Sequence, residues 1–339
     1  MSSTPAEAGQ PPVRWGIAGT GGIATAFATD LALLPNAPIT AVGSRTRERA
    51  DAFADRFGIP RRHASYEELA ADPEVDAVYV SVPHSGHCEV ALQAIAGGKA
   101  VLCEKPFSVN AIEAQRMVDA ARAAGVPLME AMWVRFLPHF VALRELLAEG
   151  RIGAVRSFAA DRGEVLSTDP EHRILNPRLA GGALLDLGVY PVSLASMVFG
   201  GAQPARVEAL AVPAVTGVDA MTSALFGYDS GAHALIHTAL DAKSENQASV
   251  TGEKGRIDLP QVWGRTSPLR ITMYGGPTET LEFTHEGHGL RHQAAELGRL
   301  LRTGEKESPV IPLDETVGVM RTLDAVRERI GLRYPGEAR

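Results

Sequence analysis

The stretch VRWGIAGTGGIATAFATD, Val13 to Asp30, decides the fold. Val13–Ala18 is a short apolar run of the kind buried inside a parallel sheet. Gly19, Gly21 and Ala24 follow at the G-x-G-x-x-G/A spacing of a dinucleotide fingerprint. Gly19 permits the tight turn out of the strand, Gly21 lets a pyrophosphate approach the backbone, and Ala24 lets the next helix lie close to the strand. That helix starts near Gly22, so its free N–H groups and the positive end of its dipole face the turn. A second strand, Ile39–Gly43, completes the setting. Gly19, Thr20, Gly21, Gly22 and Ile23 are therefore expected to hold a dinucleotide.

The 339 residues suffice for two domains, and 45% hydrophobic with 22% charged residues is the balance of a soluble globular chain. A net charge of −7 argues against a broad footprint for nucleic acid or an anionic membrane surface. Cys88 and Cys103 form no paired motif, which points to a reducing, cytoplasmic setting. No apolar run is expected to span a membrane, and no internal repeat is visible. The expected division is a flexible tail over 1–12, a dinucleotide-binding domain over 13–131 and a substrate-binding and dimerisation domain over 132–339.

After the second strand comes Ser44-Arg45-Thr46-Arg47-Glu48-Arg49. An NAD enzyme places an acid here against the ribose 2′-hydroxyl, whereas Ser44, Arg45 and Arg49 offer donors and positive charge suited to a 2′-phosphate. NADP is the expected cofactor; a merely solvated helix start is the alternative. The pattern further predicts a helix over Arg47–Phe57, a short helix from Tyr66 and a strand over Ala77–Val82 that stops at Pro83. His84 and His87 then open a helix; no third ligand accompanies them, so Val82, Pro83, His84 and His87 are read as a loop against the nicotinamide half, not as a metal site. Ala100–Cys103 is a strand that delivers Glu104-Lys105-Pro106 to the sheet edge where ligands bind in doubly wound folds. A lysine there can hydrogen-bond a substrate oxygen; an exposed lysine paired with a carboxylate is the plainer reading.

Helix Ala111–Ala124 and strand Pro127–Ala131 close the strand–helix alternation, and Met132–Phe136 leads into a helix reaching about Glu149. Beyond Val155, short β-like runs over Val155–Ala160, Val207–Val212, Ser223–Tyr228, Ala232–Leu240, Ala248–Gly252 and Leu269–Tyr274 predict a large open, mostly antiparallel sheet. A helix over Val189–Phe199 interrupts them, and helices near Leu290–Leu301 and Thr316–Ile330 end the chain. Asp186 lies in the turn before the Val189 helix and Tyr190 at its start. A helix cap and a core tyrosine are the plain alternatives to catalytic roles.

Glu104-Lys105-Pro106, the run Met129 to Phe136 (MEAMWVRF) and the run Gly181 to Pro191 (GGALLDLGVYP), taken with the glycine-rich start, resemble the Gfo/Idh/MocA oxidoreductases. Within that family they resemble the dimeric dihydrodiol dehydrogenase and NADP-linked D-xylose 1-dehydrogenase branch, over nearly the whole chain. The resemblance implies an N-terminal Rossmann domain, a C-terminal α/β domain with an open sheet, and hydride transfer between NADP and a carbinol or carbonyl carbon. It implies that Lys105 and Tyr190 contact the reacting oxygen, that Asp186 orients substrate, and that Trp133 and Phe136 line the approach. Arg45 and Arg49 would hold the 2′-phosphate. Arg162 stands where the family commonly carries an aromatic residue, and His292 where it commonly carries a tyrosine. His285, His288 and His292 are read as a helix start and no metal is expected.

The resulting expectation is an NADP-dependent oxidoreductase of neutral sugars or cyclic trans-diols, homodimeric through its C-terminal sheet. Two alternatives stay open: a ketoreductase of an acidic or nucleotide-linked sugar gripped by Arg135 and Arg162, and a non-catalytic NADP-sensing regulator on the same fold.

Overall fold

Trp15–Ala18 (β1), Ala77–Val80 (β4), Ala100–Glu104 (β5) and Leu128–Ala131 (β6) are buried along their whole length. Strands without a polar face need cover on both sides, the condition of a parallel sheet wrapped by helices. In this computed structural model, which describes residues 11–263 and 266–337, they belong to a six-stranded parallel sheet. Its order is β3-β2-β1-β4-β5-β6, with β2 at Ile39–Gly43 and β3 at Arg61–His63. Met1–Gln10, most of the expected tail, lie outside the described residues.

Local chemistry sets the helix ends. Helix α1 (Gly22–Leu31) follows β1 directly. In α2 (Arg47–Phe57) the Thr46 hydroxyl accepts the Arg49 N–H, and Gly58 ends the helix in the left-handed region at φ 65°. In α3 (Tyr66–Ala71) the Ser65 hydroxyl accepts the Glu68 N–H while the Glu68 carboxylate takes the Ala64 N–H. Helices α4 (His87–Ala96) and α5 (Ala111–Ala124) complete the alternation.

The chain forms two compact units, and the division is not a single cut near residue 131. The first unit takes the chain up to Ser108, Ile112–Trp133 and a returning segment, Glu286–Leu313. That segment carries α8 (Arg291–Thr303), which packs on α1, β5 and β6. The second unit comprises Val109–Ala111, Val134–His285 and the chain from Asp314 onward. The run leading into its first helix contains a 3-10 turn, Trp133–Phe136, and α6 begins at Pro138. Proline favours the first helical position because its missing N–H has no intrahelical partner there.

In the second unit, β7 (Val155–Gly163), β8 (Arg206–Pro213), β9 (Asp219–Gly227), β10 (His233–Ala239), β11 (Ala248–Gly252), β12 (Gly255–Leu259), β13 (Leu269–Met273) and β14 (Thr278–Leu281) form one sheet, ordered β14-β13-β12-β11-β7-β10-β9-β8. It is antiparallel except where β7 pairs with β10 in parallel. Helix α7 (Val189–Val198) packs on β7 and β10. Phe158, Phe226, Ala234 and Ile236 are buried on the helix side, while Leu210, Leu225 and Leu235 are exposed on the other. Helix α9 (Leu313–Ile330) ends the fold. By length and composition alone Pro177–Val198 would suffice to cross a membrane, but its apolar stretch is buried in the core of this unit.

The return of Glu286–Leu313 rests on one carboxylate. Asp30, fully buried at the end of α1, accepts the His288 N–H and ring Nδ1 at 2.8 and 3.0 Å and the Leu290 N–H at 2.8 Å. It thereby supplies the cap that the start of α8 lacks from its own flank. Gly287 must be glycine: its φ is +75°, and an added Cβ would lie 2.6 Å from Asp30 Oδ1. Burial alone would raise the Asp30 pKa, but the bonds from His288 and Leu290 outweigh it and hold it below the ordinary carboxylate value. Its stabilisation is thus present above the unfolded-state pKa and is lost as pH falls through the lower folded value. Asp30→Ala should cost about 2–4 kcal/mol at pH 7, with a smaller deficit in acid. Denaturant titrations at both pH values test this, and equal stability at pH 7 would remove Asp30 from the role.

Candidate active site

Gly19 leaves β1 at φ +109°, and an added Cβ would sit 2.9 Å from the Ser81 carbonyl oxygen, so only glycine fits this turn. A Cβ on Gly21 or Gly22 would meet no atom within 4 Å. Among the described residues no side chain caps the start of α1 at Gly21. Thr20 is half-buried, and Gly21, Gly22 and Ile23 are exposed around that helix end. A close-packed turn, open space beyond it and an uncapped N-terminus fit a pyrophosphate.

At the end of β2, Ser44 is buried and its N–H bonds the His63 carbonyl at 3.2 Å. Arg45 and Arg49 are exposed. Among the described residues no carboxylate engages either guanidinium, whereas Arg47 is tied to Asp51, and Arg62 to Asp51 and Asp55. Tyr66 lies within the field of Arg45 and Arg49; burial raises its pKa and the two cations lower it.

Beyond β4, Val82, His84 and His87 are buried and Pro83 half-buried. His87 reaches the Pro106 carbonyl with Nδ1 at 2.8 Å and the Val82 carbonyl with Nε2 at 2.9 Å. Burial drives its pKa down to about 3 and keeps the ring neutral. A neutral imidazole has one N–H, so it donates to one of these carbonyls and presents a lone pair to the other. The ring lies between the Val82 loop and the loop holding the half-buried Lys105, whose bond to Pro106 is cis.

In the second unit Asp186 lies in a π-helical turn, Leu184–Gly188, and Tyr190 in the first turn of α7; both are buried. Arg173 donates to Asp186 Oδ1 at 3.1 Å. Arg162, on the helix-covered side of β7, stacks its guanidinium over the Tyr190 ring at 5.0 Å and the Trp263 ring at 5.9 Å. The Trp263 indole is fixed by an N–H bond of 2.6 Å to the Asp161 carbonyl. Arg162 lies over Tyr190 and Arg173 holds Asp186, so a guanidinium accompanies each of these two side chains and Asp186 does not leave this end acidic. Trp133 and Phe136 are half-buried in their 3-10 turn.

Arg135 is a correction. Its guanidinium is 1% exposed and donates to Glu315 Oε1 at 2.7 Å, the Ser193 carbonyl at 2.6 Å and the Ser193 hydroxyl at 3.1 Å. A buried guanidinium demands such partners, and having them it is a structural brace, not a substrate contact. His285 belongs to the second unit; His288 and His292 belong to the first, where His288 faces Asp30.

Arg173, Trp263 and Asp219 were not singled out from the sequence. Asp219, on β9, is 2% exposed and accepts the Leu184 N–H and the Thr222 hydroxyl, each at 2.7 Å. Its other oxygen lies 2.2 Å from where a Cβ on Gly182 would stand, and Gly182 has φ +120°. The Tyr334 hydroxyl bonds the neighbouring Gly181 carbonyl at 2.6 Å. The glycine pair is therefore the site where a buried carboxylate grips the start of the turn that presents Asp186 and Tyr190.

Comparison with known proteins follows this geometry. Residues 13–132 match an oxidoreductase family with an NAD-binding Rossmann fold, and residues 140–258 match the GFO/IDH/MocA C-terminal domain. The chain is 40% identical to the trans-1,2-dihydrobenzene-1,2-diol dehydrogenase of Mus musculus, covering 96% of this chain and 99% of the relative. It is 38% identical to that of Homo sapiens at the same coverage. Among solved structures it is similar to an aldose–aldose oxidoreductase from Caulobacter crescentus complexed with glycerol, with TM-score 0.85, 26% identity and 94% and 97% of the chains covered. It is also similar to a 3-ketoreductase from Actinomadura kijaniata in complex with TDP-benzene and NADP, with TM-score 0.80, 28% identity and 94% and 98% covered.

Burial pushes the Asp219 carboxyl up to about 6, against the lowering bonds from Thr222 and Leu184. A raised folded-state pKa means stability that is full below the ordinary value of 3.8 and falls as pH rises through about 6. Asn at this position does not titrate. The stability of Asp219→Asn relative to the parent should therefore rise between pH 4.5 and 7.5 by on the order of 2 kcal/mol. Thermal melts at the two pH values decide; a constant difference would remove the buried ionisation.

Proposed function

The chain belongs to the Gfo/Idh/MocA family of oxidoreductases, and we propose that within it the protein is an NADP-linked dehydrogenase or reductase of neutral sugars or cyclic trans-diols. The observation that carries the cofactor assignment is the pair of guanidiniums at Arg45 and Arg49, free of carboxylates among the described residues, where an NAD enzyme needs an acid. Gly19, Thr20, Gly21, Gly22 and Ile23 would hold the pyrophosphate, and Ser44, Arg45 and Arg49 the 2′-phosphate. Val82, Pro83, His84, His87, Glu104 and Lys105 would flank the nicotinamide half. When bound, the nicotinamide supplies hydride exchange at one carbon.

The chain's own residues handle the oxygen. We assign Lys105 and Tyr190 to it: an ammonium stabilises developing alkoxide charge, and a phenol hydroxyl can take or return the proton. Asp186, held by Arg173, is assigned to a second hydroxyl of the substrate, and Trp133 and Phe136 to its C–H face.

Arg162 and Arg173 favour a second reading, a sugar bearing a carboxylate or a nucleotide, since one guanidinium lies over Tyr190 and another on Asp186. The same oxidoreductase chemistry applies to both. We further propose a homodimer. Leu210, Leu225 and Leu235 lie exposed on one sheet face, which forms a broad concavity of about 930 Å³ with Ser223, His237 and Asp161. An exposed apolar sheet face of this kind suits a two-fold partner. The free, buried Cys88 and Cys103 accord with a cytoplasmic site of action.

NADP should exceed NAD by at least about tenfold in kcat/KM, a difference of about 1.4 kcal/mol. Arg45→Ala should erase most of that gap. Steady-state assays with both cofactors test the assignment, and equal activity of the parent protein with NAD would refute it.

Lys105→Met and Tyr190→Phe should each lower kcat by about 10²-fold or more with NADPH affinity largely kept. One assay series should compare D-xylose, D-glucose and cyclic trans-diols with the uronate and sugar phosphate counterparts. Normal turnover by both variants would end the chemical assignment. A kcat/KM at least about tenfold higher for the charged compounds would move the substrate to the second reading.

A further inference from the structure

Tyr79 is a tyrosine inside a buried strand, a position that burial of its ring alone would fill as well with phenylalanine. It is 0% exposed on β4 and pairs with Ile17 of β1 and Leu102 of β5. A phenol there must find a partner, since a buried hydroxyl without one is costly. Its hydroxyl donates to Glu104 Oε1 at 2.5 Å, and the other carboxylate oxygen of Glu104 accepts the Lys105 backbone N–H at 3.2 Å. Glu104 is 4% exposed, so this bridge lies in a low-dielectric interior where each bond is strong.

The other face of the phenol is fixed as firmly. The Tyr79 ring stacks on Phe27 of α1 with centroids 3.7 Å apart and planes 15° apart, and Phe27 meets Trp15 edge-on at 5.3 Å. A continuous set of contacts therefore runs from the helix of the glycine-rich turn, through a ring and a hydroxyl, to the carboxylate before Lys105.

We propose that Tyr79 is a positioning residue for Lys105. It acts through Glu104: the hydroxyl orients the carboxylate, and the carboxylate fixes the backbone from which the lysine projects. This rests on the assignment of Lys105 to the reacting oxygen. Tyr79 touches neither substrate nor cofactor in this role, so its removal acts on turnover and pH dependence, not on cofactor affinity.

Tyr79→Phe keeps the stack on Phe27 and deletes only the hydroxyl. The expected result is a kcat about tenfold lower or less than that of the parent, with the KM for NADPH within about threefold. The buried carboxylate then has one donor fewer, which favours its protonated form, so the acid limb of the kcat profile should move to higher pH. Glu104→Gln tests the route: if Tyr79 works through Glu104, the double variant should lose little more than the larger single loss. Multiplicative losses, or a Tyr79→Phe variant with the parent kcat and pH profile, would overturn the proposal. Lys105→Met assayed alongside separates the two levels. Normal turnover there overturns the Lys105 assignment and this proposal with it; an inactive Lys105→Met beside an unchanged Tyr79→Phe overturns the role of Tyr79 alone.

Discussion

Six parallel strands end on one edge, and the candidate chemistry of the first unit follows from that constraint. Parallel pairing sends every strand out on the same side of the sheet, so the residues after β1, β2, β4, β5 and β6 emerge together. These are Gly19, Ser44, Val82, Lys105 and Trp133, separated by more than a hundred residues of chain. The order reverses between β1 and β4, and a crevice for a ligand opens at such a reversal. The Gly19 turn packs directly against Ser81 at that point, which explains why its glycine admits no side chain.

What was legible in the sequence was local. Ile39–Gly43, Arg47–Phe57, Ala111–Ala124 and Ala248–Gly252 stand at the expected bounds, because an apolar period, a capping hydroxyl or a left-handed glycine marks each within a few residues. Strand β3, Arg61-Arg62-His63, carries no such mark. It is polar, and β2 creates it by backbone pairing, while Asp72 holds Arg61 and His63. Strands β12 and β14 escaped notice for a related reason: Arg256, Asp258 and Glu279 read as loop until a neighbouring strand supplies the ladder.

The candidate site divides along the same line. Its dinucleotide turn was readable because glycine spacing is a local signal. Arg135 was misread because its partners lie far along the chain, Ser193 at a separation of 58 residues and Glu315 at 180. A guanidinium looks equally available in sequence whether solvent or a buried carboxylate receives it. Asp219 was invisible for the converse reason. Nothing near it in the chain announces that its oxygen will lie against Gly182, where that carboxylate and a φ of +120° both demand glycine.

The returning segment Glu286–Leu313 has a consequence for how the protein is made. A ribosome completes all six strands of the first unit by Ala131, yet the helix that covers α1, β5 and β6 is not translated until residue 303. Leu297 and Leu300, both fully buried, arrive with it. Until then the nascent sheet carries an uncovered apolar surface, the situation that recruits holding chaperones during synthesis. The first unit is therefore late to mature although its strands are the first to emerge. A gene fragment ending at its last strand would yield a chain missing part of its own core.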